Sequence, residues 1–166
     1  IGEGAYAIEQ RQADIVYIIY NVLEQMLGQA LFERGRSAGR SFLVRVPHAS
    51  GLLDGTVTPE TVFTQDDHRF HRVSTEDKKK AWQVDGLKKV EQLDFLTQGT
   101  GRTLAQAALQ FVLSEPSVAC VLPNIYNEAL LREYAGAPQT PALTEDELGR
   151  LRQLYAANFG VETAAA

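Results

Sequence analysis

One cysteine, one methionine and one tryptophan are all that 166 residues contain of those types. The lone Cys120 has no second cysteine with which to form an internal disulfide, and it stands in the apolar run Val118-Ala119-Cys120-Val121-Leu122. It therefore reads as a small buried residue in a reducing compartment, which points to the cytoplasm. No apolar run reaches the roughly 18 residues a membrane span requires. The opening Ile1-Gly2-Glu3-Gly4 has neither the basic nor the apolar region of a secretory leader, so none is expected. A nucleic-acid surface is excluded on similar grounds. The net charge is −5, and the single basic cluster, Lys78-Lys79-Lys80, follows directly on Glu76-Asp77, as on a solvated helix face. The G-x-G-x-x-G spacing of a Rossmann fingerprint is also missing.

What is present is ordinary globular composition, 45% hydrophobic and 22% charged, enough for one core. Residues 14–20 (DIVYIIY) are β-branched and aromatic and carry no charge after Asp14, the pattern of a parallel strand buried on both faces. Helical spacing follows over residues 22–36, and Gly35 or Gly39 supplies a stop. Residues 41–46 make a second buried strand. A long irregular loop, residues 47–73, comes next, and loops of that length in a compact domain are usually functional. Ser74 is the expected N-cap of a helix with Glu76 and Asp77 in its first turn, and an apolar stripe follows through Trp82, Leu87, Val90, Leu93 and Leu96. Thr103 caps a helix over 104–113. A third strand spans 118–122, a helix runs through 128–134, and Thr144 with Glu147 forms the capping box of a last helix. Residues 159–166 are expected to form a flexible tail.

Three buried strands alternating with helices give a parallel α/β architecture with right-handed crossovers and helices on one side of the sheet. Eight such units close a (β/α)8 barrel. Three leave two open edges, so the chain reads as the C-terminal portion of a single barrel that needs the missing half or a partner chain.

Five pieces of sequence, in order from about residue 13 to residue 155, resemble the aldo-keto reductase family. Residues 14–21 (DIVYIIYN) resemble the family's sixth barrel strand. Arg45-Val46-Pro47-His48-Ala49-Ser50-Gly51-Leu52-Leu53-Asp54-Gly55 resembles the seventh strand and its "R-x-P-L-x-x-G-x-L-x-G" loop. Asp67-His68-Arg69 matches a "D-x-R" in the excursion that follows. Residues 103–113 (TLAQAALQFVL) match "T-x-A-Q-x-A-L-x-W-x-L", and Val121-Leu122-Pro123-Asn124 matches the eighth strand's "V-I-P-G".

The resemblance implies a partial TIM barrel, the family's strands six to eight with their helices. It also implies an NADP or NAD cofactor lying across the barrel mouth and a small carbonyl substrate. The family's proton-donating Tyr and its Lys, Asp and His partners come from strands two to four, so no catalytic residue is assigned among the six tyrosines here. The cofactor-side positions that match are Tyr17, where the family places a Gln near the nicotinamide, then Pro47, His48, Gly51 and Leu53 in the pyrophosphate loop, and Asn124 and Asn127 near the adenosine. His48 stands where the family has Leu, and Leu130 and Tyr134 stand at positions that usually contact the adenosine end. Two functions follow from the resemblance: the cofactor-side half of an NAD(P)H-dependent carbonyl reductase, or a catalytically inactive reductase-like subunit with a structural or binding role. Asp66, Asp67, His68 and His71 lack the rigid frame of a metal site, and Arg69 is expected to tie the long loop down through an acid.

Overall fold

The computed structural model describes residues 1–11 and 13–162. Helix α1 (Gly2–Glu9) leads into strand β1 (Ile15–Ile19), helix α2 (Met26–Ser37) and strand β2 (Ser41–Arg45). After the long loop come α3 (Glu76–Lys79), a π-helical turn at Lys80–Val84, α4 (Asp85–Val90) and a 3-10 turn at Glu91–Leu96. Helix α5 (Leu104–Leu113), strand β3 (Val118–Leu122), α6 (Glu128–Ala135) and α7 (Glu145–Ala156) complete the order. The strands form one parallel sheet in the order β1-β2-β3, with Tyr17 level with Leu43 and Leu43 level with Cys120.

Alternation along the strands decides what each face does. Val16 and Ile18 of β1 and Phe42 and Val44 of β2 are buried, and with Leu31 and Phe32 of α2 and Phe111 and Val112 of α5 they form the core. The opposite face was expected to be buried as well and is not. Ile15 and Tyr17 are more than half exposed, and Leu122 and Cys120 are exposed beside them. This corrects the buried reading of Cys120: the run around it is apolar on both faces, but helices cover only one. The uncovered face is the one that lines the interior in a closed barrel.

Local signals set most element ends. Both capping boxes form, Thr103 with Gln106 and Thr144 with Glu147. Two expected ends move. The helix after β1 starts at Met26 rather than residue 22, because Asn21 Oδ1 accepts hydrogen bonds from the amides of Leu23 and Glu24 and holds a turn there. The N-cap of α3 is Thr75, whose hydroxyl accepts from the Lys78 amide, and not Ser74. The tail does not begin at residue 159, since Phe159 is buried in the core edge-on to Tyr155; residues 163–166 of that expected tail lie outside the described residues. Among the described residues no helix is long and apolar enough to cross a membrane.

Candidate functional site

Loops leaving the carboxyl ends of adjacent parallel strands define the crevice where α/β folds take ligands. Here those are the loops after β2 and β3. The first is unusual in its backbone: Val46, Ala49, Ser50 and Gly51 all have positive φ, at 57°, 49°, 60° and 109°. A β-branched residue in the left-handed region is a real outlier, held only where surrounding contacts over-determine it. One such contact is visible. Asn21 is fully buried, and its Nδ2 donates to the Val46 carbonyl at 2.9 Å, pinning the end of β1 to the start of the loop.

A cleft of about 600 Å³ opens over this loop. Tyr17 and Arg45 form its sheet side, Val46 and Ser50 one rim, and Leu122, Asn124 and Tyr126 the other. The far wall is His68, His71 and Arg72 from the long loop. Next to it a narrow crevice runs between Pro47, His48 and Gly51 on one side and Asn124 and Tyr126 on the other. Five of the seven sequence-predicted cofactor positions, Tyr17, Pro47, His48, Gly51 and Asn124, thus line the cleft or the crevice beside it. Asn127 lies just past it, at the N-cap of α6, where its Oδ1 accepts from the Leu130 amide. Leu53 is wholly buried in the core, so its side chain is out of reach of any ligand in the cleft.

His48 is buried to 4% exposure. Its ring lies 4.4 Å from that of Tyr134, and its Nε2 is 3.2 Å from the Ala105 carbonyl. A carbonyl only accepts, so Nε2 carries the proton and Nδ1 presents a lone pair. That Nδ1 has no hydrogen-bond partner and sits 3.9 Å from Asp54 Oδ2. Tyr134 donates its hydroxyl to the same Oδ2 at 3.1 Å. Burial holds the His48 pKa below its ordinary value, which the Asp54 carboxylate partly offsets. Burial, then the Asp54 charge, pushes the Tyr134 phenol up, so it stays a donor. Asp54 and Asn21 escaped the sequence reading as members of this site, and Tyr134 entered it only as a position that usually contacts the adenosine end.

The long loop is fastened as expected: Arg69 donates to both carboxylate oxygens of Asp67, and its guanidinium lies 4.6 Å over the Phe63 ring. The Arg69 hydrogen bonds hold the Asp67 carboxyl down at about 2.

The sequence profile of the aldo/keto reductase family matches residues 8–156. The chain belongs to this family. No curated protein gives a significant match. Among solved structures, an aldo-keto reductase from Bacillus halodurans in its apo form superposes with a TM-score of 0.65 at 20% identity, over 89% of this chain and 45% of that one. A glycerol dehydrogenase from Gluconobacter oxydans gives 0.71 at 18%, over 94% and 47%. The chain spans less than half the length of these aldo-keto reductase folds, and the match makes its sheet a part of their TIM barrel.

Gly51 is the position where this loop tolerates least. A Cβ there would meet Thr56 Oγ1 at 2.5 Å and Val57 Cγ2 at 2.8 Å, on a backbone at φ +109°. Gly51→Ala should therefore destabilise the loop by about 1–3 kcal/mol. Thermal melts check this; an unchanged midpoint would refute it.

Proposed function

We propose that this chain is the cofactor-holding portion of an NAD(P)H-dependent carbonyl reductase, acting on small aldehydes or ketones in the cytoplasm. The observation that supports it best is the seam itself: a strained, pinned loop at the end of β2 facing the Pro123-Asn124 end of β3 across a narrow crevice. The residues suit a dinucleotide. The crevice is lined by Pro47, Ser50, Gly51 and Asn124, whose main chain and polar side chains can approach a phosphate, and the cleft above it carries basic groups. The main chain of residues 47–53 would hold the pyrophosphate, residues 124–127 with the N-terminus of α6 the adenosine, and Tyr17 the nicotinamide side. The bound cofactor would supply a hydride to the carbonyl carbon. The residues of this chain bind and orient it, and the proton donor is assigned to none of them.

Discrimination between NADPH and NADH should be weak, under about tenfold. Leu130 brings no charge to a 2′-phosphate, Tyr134 is turned inward onto Asp54, and Arg132 is engaged by Glu128 one helical turn away. Fluorescence titration with each cofactor tests this. A strong NADPH preference would contradict the assignment of the adenosine end. No binding of either would favour the second reading, a reductase-like subunit without catalysis, which the Tyr134–Asp54 bond at a usual contact position favours.

A further inference from the structure

A second concave site lies behind the loop that follows β2. Val46 and Ser50 of that loop face the cleft described above, whereas Ala49 and Leu52 face a separate groove of about 490 Å³. Cavities of that size are usual for small-molecule sites. The far wall of the groove is the helical run from α3 to α4, where Lys78, Trp82, Gly86 and Lys89 recur three or four residues apart and so share one side. Trp82 sits in the π-helical turn, a rare geometry found most often at functional sites. Its neighbour Gln83 is buried, and Nε2 donates to the carbonyls of Thr58 and Thr61 at 2.8 and 3.0 Å. The wall is therefore held in place before any ligand arrives.

Leu23, Leu52 and Ala81 make the interior of the groove apolar, and the half-buried Trp82 adds a flat indole. The charge around it is mostly of one sign. Among the described residues the only carboxylate lining it is Glu24, which accepts from Asn21 Nδ2 at 2.8 Å and faces Arg72 at 3.9 Å. Arg72 in turn rests 5.5 Å over the Trp82 ring. Lys78 and Lys89 are left. Neither makes an ion pair among the described residues, and both border the groove but not the cleft. Such side chains lay their stems along apolar surface and keep the ammonium at its edge. We infer that the groove is a second ligand site, for an aromatic carboxylate whose ring lies on Trp82 and Leu52 and whose charge is met by Lys78 and Lys89. The inference does not rest on the cofactor seat.

Calorimetric titration of the intact protein tests this with 2-naphthoate, its neutral isostere 2-naphthamide, and octanoate, each with and without saturating NADPH. Naphthoate should bind about fivefold more tightly than either of the others, and NADPH should not displace it. Replacing both lysines, Lys78→Gln with Lys89→Gln, should remove the margin over naphthamide and leave naphthamide itself unmoved. Should the double variant fail to fold, salt gives the same answer on the unaltered protein: raising ionic strength should weaken naphthoate and not naphthamide. No binding of naphthoate, equal binding of naphthamide, or a naphthoate affinity untouched in the double variant would overturn the inference. Octanoate binding as tightly as naphthoate would overturn the aromatic class, and displacement by NADPH would return the anion to the cleft. The cofactor seat is read separately. Naphthoate binding that depends on Lys78 and Lys89 in a protein that binds neither NADPH nor NADH would uphold the inference and refute the seat.

Discussion

Phe42→Ala should destabilise the fold by about 3–5 kcal/mol, the range for removing a fully buried ring whose space does not close. Phe42 is 0% exposed at the centre of the three-stranded sheet. Its ring packs edge-on against Phe32 at 4.9 Å and lies on Gly35 so closely that a Cβ there would fall 2.3 Å from it. Strand β2 is bonded on both sides, so the backbone cannot collapse into the void. Typical domains keep only about 5–15 kcal/mol of net stability, so this one ring represents a large share. Urea denaturation gives the value. Phe42→Leu should show the same direction with a smaller loss if the alanine variant does not fold. A midpoint within about 0.5 kcal/mol of the parent would show that the α2–β2 contact is not where the core is held.

The features legible in the sequence were those set by neighbours along the chain. Thr144 and Glu147 are three residues apart, and the capping box they imply forms. The three strands fall where β-branched runs are bounded by polar or proline residues, and the loop motif from Arg45 to Gly55 lies at the barrel mouth. What the sequence did not disclose depends on groups far away in it. The depth of His48 is set by Ala105 and Tyr134, which arrive from α5 and α6. The turn at residues 21–24 was hidden because Val22 and Leu23 fit a helical stripe, while Asn21 bonds the next amides and the Val46 carbonyl instead. The exposure of Cys120 was hidden for a different reason. An apolar strand face states that something covers it, not what does.

The same holds for the uncovered face as a whole. Ile15, Tyr17, Leu43, Cys120 and Leu122 occupy three levels of paired register, and Arg45 closes the row at the mouth. The layered side chains of a barrel interior have this arrangement, with apolar residues below and chemistry above. The uncovered sheet face and the candidate cleft are therefore one continuous surface.

Arg102→Ala is expected to rival the loss at Phe42, again about 3–5 kcal/mol, through polar groups rather than packing. Arg102 follows the Gly99-Thr100-Gly101 break, and nothing local marks it as important. It is nevertheless 5% exposed, and its guanidinium gathers three separate segments. Nε donates to the Leu96 carbonyl, Nη1 to the carbonyls of Pro141 and Ala142, and Nη2 to Glu147 Oε1. Glu147 Oε2 meanwhile accepts from the Thr144 amide at 2.7 Å, so Arg102 also orients the capping box that starts α7. Burial raises the Glu147 carboxyl, but the bonds from Thr144 and Arg102 outweigh it and leave its pKa below the ordinary 4.5. The linkage sign follows: this contribution is complete above about pH 4.5 and is lost as the pH falls through the depressed value. Removing the arginine strands three carbonyls and a half-buried carboxylate at once. Arg102→Lys keeps the charge but not the fork, and should still lose about 2 kcal/mol or more. Denaturation at pH 7 and pH 4 measures both effects, and Arg102→Ala should flatten the acid-side slope as well as lower the midpoint. A variant that melts like the parent, with its acid slope intact, would mean that α7 docks through Leu151 and Phe159 alone.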